Sequence, residues 1–283
     1  MPSEVPFLLC YSGKKKDETG HMREQDFKSV AIAAAQQAGK IIADAYRTDF
    51  RVDYKQGTIT NLVTEVDHRS EAAIAEVLTR AFPGHRILAE EGGEGLVRKS
   101  PYRWIVDPLD GTTNFAHGFP AFCVSIGLEL EGRIILGVVY DPLHRELFEA
   151  QLGGGAFLNG ERIRVSTVPT LKKALLVTGF SYDEEGRHSN LVHFARFAIL
   201  GQGMRRTGSA ALDLSYVASG RVDGFWELKL SPWDVAAGSL IVTEAGGRVT
   251  NFAGDIFSVQ GTETLATNGL IHDEMIAVLS QQT

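Results

Sequence analysis

The sequence predicts an α+β protein. Two observations carry this: apolar residues recur at spacings of three and four in several stretches, and the middle of the chain holds short apolar runs parted by glycine-containing turns. With 283 residues, 44% hydrophobic and 22% charged, the chain is long enough to bury a sizeable core. No internal repeat, low-complexity tract or linker divides it, so it reads as one large domain or two intimately packed halves.

From Phe27, the residues Val30, Ala31, Ala34, Ala38, Ile41, Ile42 and Ala45 share one helical face, which opens the fold with a long amphipathic helix. Asn61 to Asp67 reads as a short extended segment. A second helical pattern follows through Ala72, Ile74, Ala75, Val77, Leu78 and Ala81, and Pro83-Gly84 ends it. Ile87-Leu88-Ala89, Trp104-Ile105-Val106, Val124 to Leu128, Ile134 to Tyr140 and Leu147 to Ala150 are strands, with Glu131-Gly132 as a hairpin turn. Gly153-Gly154-Gly155 is another turn rather than a phosphate loop, because no helix or Lys-Ser/Thr follows it. The last third mixes strands at Ala174 to Thr178, Phe225 to Leu228 and Arg248 to Thr250 with helices at His188 to Leu200, Ala210 to Ser219 and Trp233 to Glu244.

The formal charge of -7 argues against non-specific attraction to nucleic acid, which requires a basic footprint. No apolar run approaches the roughly 20 residues that span a bilayer, so no membrane partner is expected. Cys10 and Cys123 give neither a metal spacing nor a disulfide framework, which points to a reducing cytoplasm. Residues 1–23 read as a poorly ordered extension.

The most informative stretch runs from Trp104 to Phe115, where an apolar strand leads directly into Asp107 and Asp110, three positions apart. Pro108 fixes φ and Gly111 permits a close backbone approach, so the turn can aim both carboxylates at one point. Two anions so close repel unless they are protonated or neutralised by a cation. Oxygen ligands with no His or Cys beside them favour Mg²⁺ over zinc. Upstream, Glu90-Glu91 follows another apolar strand. Far downstream, Asp234 follows Pro232-Trp233, where it serves equally as a helix N-cap. Each acid taken singly reads as a turn or cap residue, and only the combination argues for chemistry.

That combination resembles the inositol monophosphatase family. Its two signatures stand here as Trp104 to Phe115 and as Trp233-Asp234-Val235-Ala236-Ala237-Gly238 continuing to Glu244-Ala245-Gly246-Gly247. The segment Asn61 to Asp67 and the pair Glu90-Glu91 match in the same order, and the similarity covers roughly residues 24–280. The resemblance implies a layered αβαβα sandwich of the inositol monophosphatase / fructose-1,6-bisphosphatase type, assembled as a homodimer. Residues 24–155 would form its metal-binding half and 156–283 its substrate half. It implies one Mg²⁺ held by Glu90, Asp107 and the Leu109 carbonyl, a second held by Asp107, Asp110 and Asp234, and a weaker third near Glu90. Thr112 and Asp67 would orient and help deprotonate a water, Glu90 would contribute through its metal, and the Gly111 and Thr112 amides would face the phosphate.

By the same resemblance, the segment Arg205 to Ala211, with Gly208, Ser209 and Ala210 in it, and Glu227, with Asp110, would contact the alcohol portion of a small phosphorylated polyol, with myo-inositol 1-phosphate the favoured substrate. Glu227 reads alternatively as a surface strand residue. Lys55-Gln56-Gly57 matches a mobile loop over the metals or a solvated lysine, and His117 reads as turn or lid packing rather than a catalyst. Fructose-1,6-bisphosphate, adenosine 3′,5′-bisphosphate and histidinol phosphate are alternative substrates on the same scaffold. A regulatory partner of the transcription machinery is the alternative outside enzymes, with Arg205 and Arg206 read that way. Lithium sensitivity is expected from the resemblance alone.

Overall fold

Alternation and periodicity in the chain resolve into stacked layers of helix and sheet. The computed structural model describes residues 24–54, 62–95 and 99–281. The extension 1–23, with Cys10, and the segment Lys55-Gln56-Gly57 to Asn61 lie outside the described residues.

Among the described residues the helices are α1 (Glu24–Ala45), α2 (Glu65–Ala81), α3 (Thr112–Ala116), α4 (Glu184–Leu200), α5 (Ala210–Ala218), α6 (Pro232–Glu244) and α7 (His272–Leu279). The first strands are β1 (Val52–Tyr54), β2 (Leu62–Thr64), β3 (Arg86–Ala89), β4 (Gly93–Glu94) and β5 (Tyr102–Asp110). A meander follows through β6 (Cys123–Leu130), β7 (Arg133–Asp141), β8 (Glu146–Gln151), β9 (Gly155–Leu158) and β10 (Glu161–Arg162). The last strands are β11 (Leu175–Thr178), β12 (Gly203–Arg205), β13 (Gly224–Leu228), β14 (Arg248–Thr250) and β15 (Glu263–Thr267).

Strands β3 to β10 form one sheet in the order β10-β9-β8-β7-β6-β5-β3-β4, and β11 to β15 form a second in the order β12-β11-β13-β15-β14. Helices α1 and α2 cover the outer face of the large sheet, where Ala34, Ala38 and Ile42 meet Trp104, Val124, Ile126 and Val138. Helices α5 and α6 fill the space between the sheets, burying Leu212, Leu214, Val235 and Ile241 against Phe148, Val177 and Phe225. Helices α4 and α7 close the far face of the small sheet through Phe197 and Met275, packed with Leu176, Trp226 and Leu265. This is the five-layered αβαβα order implied by the resemblance.

The predicted elements appear with shifted ends. The Glu131-Gly132 turn joins β6 to β7 with both residues at positive φ, as a tight two-residue hairpin requires. The expected extended segment from Asn61 to Asp67 is corrected. Only Leu62–Thr64 is strand, and α2 begins at Glu65, because Thr64 and Asp67 make a reciprocal capping box. Helices α3 and α7 and the short strands β1, β4, β9, β10, β12 and β15 were not apparent from periodicity, since elements of a few residues complete too few repeats to register one.

Candidate active site

In an undisturbed strand, positions three apart face opposite sides. Asp107 and Asp110 nonetheless share a side, because β5 carries a bulge. Asp107 pairs with Ser125 and Asp110 with Cys123, one residue more on β5 than on β6. Val106 and Leu109 accordingly both pack into the core under α1 and α2. Pro108, which has no N–H to contribute to the ladder, lies within the bulge. Its carbonyl accepts from Ser70 Oγ at 2.7 Å, and the Leu109 N–H donates to Asp107 Oδ1 at 3.0 Å. Gly111 then turns the chain at φ 93°, where a Cβ would lie 2.8 Å from the Ala121 carbonyl oxygen.

The third acid arrives from the other end of the chain. Ser231, Pro232 and Asp234 open α6 as cap, first-turn proline and capping-box acid, with the Ser231 N–H donating to Asp234 Oδ2 at 2.7 Å. Paired glycines in the large sheet let this helix approach the acids. Gly127 on β6 lies opposite Gly137 on β7, and a Cβ on Gly137 would stand 2.5 Å from the Ala237 carbonyl oxygen. Ser125, beside Asp107 in the ladder, donates to the Trp233 carbonyl at 3.1 Å. Sequence reasoning missed this pair of glycines, although both stood in recognised strands.

Asp107, Asp110 and Asp234 thereby place carboxylate oxygens within 4.8 Å of one another. None of them joins an ion pair with a lysine or arginine among the described residues. Burial first, then the charges of Glu90, Asp110 and Asp234, pushes Asp107 well above the usual carboxylate range. Asp234 is raised well above it too, by burial and then by Asp110 and Glu90. Burial raises Asp110 to about 6, although Ser209 Oγ and the Ala211 N–H both donate to its Oδ2 at 2.7 Å. Like charges packed this closely without a counter-ion fit a divalent cation, and an all-oxygen donor set fits a hard one.

Asp67 stands beside this cluster. Thr64 holds it through N–H and hydroxyl at 2.8 and 2.5 Å, and Thr112 Oγ1 lies 2.9 Å from its Oδ1 and 3.0 Å from the Leu109 carbonyl. One hydroxyl proton serves one of these acceptors at a time. Burial raises the Asp67 pKa above its ordinary value. Glu90 follows β3, hydrogen-bonded through its N–H to the Val106 carbonyl at 3.2 Å. It lines the same cavity but lies outside the three-acid cluster.

The cavity encloses about 400 Å³ and is lined by the acids, by Leu109, Gly111 and Thr112, and by Gly208, Ser209, Ala210 and Glu227. Of the positions assigned to metal, water, phosphate or alcohol, Glu90, Asp107, Leu109, Asp110, Gly111, Thr112, Gly208, Ser209, Ala210, Glu227 and Asp234 border one space, Asp67 reaches it through Thr112, and Arg205, Thr207 and Ala211 do not line it. Asn114 ties the two segments together, donating to the carbonyls of Ala121 and Thr207 at 2.7 and 2.8 Å. Glu227 is no surface residue. Alternation along β13 turns it to the same side as Phe225, into the central layer, where it is 7% exposed. Burial, reinforced by Asp213, lifts it to about 8. Gly179 allows this, since a Cβ there would lie 2.3 Å from the Glu227 oxygens. His117 is the C-cap of α3. Arg206, Asp213, Tyr182 and Lys229 also line the cavity, and of these the sequence had flagged Arg206 alone, within the segment Arg205 to Ala211.

A family model described as the inositol monophosphatase family matches residues 23–283. Inositol-1-monophosphatase of Synechocystis sp. is 45% identical over 257 residues, covering 90% of this chain and 89% of that protein. The Nus factor SuhB of Escherichia coli is 45% identical over 232 residues, covering 80% of this chain and 85% of that one. The solved structure of inositol monophosphatase from Anabaena (Nostoc) sp. PCC 7120 superposes with a TM-score of 0.83 at 46% identity, over 92% of this chain and 97% of that chain.

Proposed function

The chain belongs to the inositol monophosphatase family of phosphatases, and on that premise we propose that it is a magnesium-dependent phosphomonoesterase whose substrate is a small polyol phosphate, myo-inositol 1-phosphate first among them. The observation that carries this is the convergence of Asp107, Asp110 and Asp234 within 4.8 Å at the floor of a cavity. Asp107, Asp110, Asp234, Glu90 and the Leu109 carbonyl would hold Mg²⁺, which when bound supplies charge neutralisation and Lewis-acid activation for attack of water on phosphorus.

The remaining work falls to the chain's own groups. Thr112 Oγ1, hydrogen-bonded to Asp67, would orient the attacking water, and the Asp67 carboxylate would take up its proton. The N–H groups that open the short helix α3 have no partner within it, which leaves Gly111 and Thr112 able to receive phosphate oxygens. Gly208, Ser209, Ala210 and Glu227 bound the part of the cavity assigned to the alcohol, and Asp110, bonded to Ser209 and Ala211, links that part to the metals. A homodimer, lithium inhibition and a cytoplasmic location belong to the same proposal. Among the described residues no helix is long and apolar enough to cross a membrane.

Phosphate release from a panel of polyol, sugar, nucleotide and aryl phosphates, with magnesium varied, tests the proposal. Turnover that survives EDTA undiminished sinks the metal assignment, and a preference for a bisphosphate sinks the substrate assignment. A second reading draws on the relative named Nus factor SuhB: the chain acts as a regulatory partner of the transcription machinery. Affinity capture with RNA polymerase components as bait separates the two.

A further inference from the structure

One acid on the cavity wall has no part in the scheme above. Asp213 lies on α5 and is 1% exposed, yet it lines the cavity with Glu227, Arg206 and Gly208. Leu212 and Leu214 on either side of it are buried in the central core, so helical geometry turns Asp213 away from them, toward the wall that Glu227 reaches from β13. The Thr207 hydroxyl is hydrogen-bonded to its Oδ1. A structural role would be met more cheaply by a neutral side chain, because burying a carboxyl is costly unless something compensates it.

The neighbourhood shows what the compensation is. Burial holds the Asp213 carboxyl well above the ordinary range, Asp110 adds to that, and Thr207 and Arg206 oppose it. The Asp213 charge in turn raises Glu227, whereas Arg206 lowers it. Asp213, Glu227 and Arg206 all line the same cavity. Together the two carboxyls offer several acceptor oxygens and the guanidinium offers donors. Each hydroxyl of a polyol likewise donates once and accepts, so neighbouring hydroxyls match the pair. An aryl or simple alkyl phosphate offers nothing to it.

We propose that Asp213 is a specificity-determining residue which, lining the same cavity as Glu227, reads a second hydroxyl of the alcohol portion. The inference rests on the phosphatase reading given above.

The test uses the full chain in magnesium, with myo-inositol 1-phosphate, its monodeoxy analogues and 4-nitrophenyl phosphate. Asp213→Asn is expected to lower the ratio of kcat/KM for the inositol ester over the aryl ester about tenfold, through KM, as loss of one hydrogen bond implies. In the unaltered protein, deleting either of two adjacent hydroxyls is expected to raise KM. Glu227→Gln should abolish the sensitivity to one of these deletions and leave the other. The deletion series stands whether or not Asp213→Asn folds. A ratio unchanged within about twofold in folded Asp213→Asn, or a KM that responds to one hydroxyl only, overturns the role of Asp213. If no ester is hydrolysed, aryl or polyol, the phosphatase reading falls and this inference with it, whereas aryl turnover with a flat deletion series overturns the inference alone.

Discussion

Replacing Asp110 with asparagine should stabilise the metal-free protein while disabling the enzyme. In the fold Asp110 is raised from 3.8 to about 6, by burial first and despite its bonds to Ser209 and Ala211. A raised carboxyl pKa means that the metal-free fold binds the proton more tightly than the unfolded chain does. Its cost is therefore absent below pH 4, grows between about 4 and about 6, and is full above that. At about 1.4 kcal/mol for each tenfold in acidity, the cost at neutral pH is about 3 kcal/mol. Asparagine can still accept from both donors, and the shift to about 6 is already net of what the charge adds to those bonds. The gain of about 3 kcal/mol raises Tm by about 5 °C in a domain of this size.

The assay is thermal unfolding in EDTA from pH 4 to 8 for the parent and Asp110→Asn, followed by phosphate release in magnesium. The parent's Tm should fall between pH 4 and 6.5 more steeply than the variant's, and the two curves should separate as pH rises. Turnover by the variant should drop at least about a hundredfold, since an anionic ligand is gone. If the variant melts lower than the parent in EDTA at pH 7.5, with parallel pH curves, the electrostatic account of the cluster is wrong. If its folded fraction also turns over normally, Asp110 is structural.

Activity should require added magnesium, vanish in EDTA and be suppressed by excess calcium, whose larger and looser shell spoils the geometry; a magnesium titration with calcium competition checks this. Gly137→Ala should cost about 1–3 kcal/mol of stability by overpacking, because its Cβ would stand 2.5 Å from the Ala237 carbonyl oxygen. Activity should fall further than the folded fraction does, as the helix bearing Asp234 is displaced, and circular dichroism melts beside kinetics would show it. Glu227→Gln should lower the preference for inositol phosphate over an aryl phosphate by about tenfold, as loss of one hydrogen bond implies. Equal losses on both substrates would move Glu227 into the catalytic or folding apparatus.

Much of this protein is legible in the chain alone. Spacings of three and four mark α1, α2, α5 and α6, and short apolar runs mark β5 to β8, because each pattern is written by neighbours in sequence. The acids Asp107, Asp110 and Asp234 also stand out there, by their place at the ends of apolar segments. What the sequence left open was their relation in space. A spacing of three on a strand puts two side chains on opposite faces, and only the bulge against Cys123 and Ser125 brings Asp107 and Asp110 to one side. The position of Asp234 depends on Gly127 and Gly137, whose lack of a side chain admits α6 to the sheet. Whether Glu227 faced water or the cavity depended on which side of β13 the central helices came to cover. Register, close approach and burial are properties of segments far apart in the chain, as Asp107 and Asp234 are, so local periodicity carries no record of them and tertiary packing decides them.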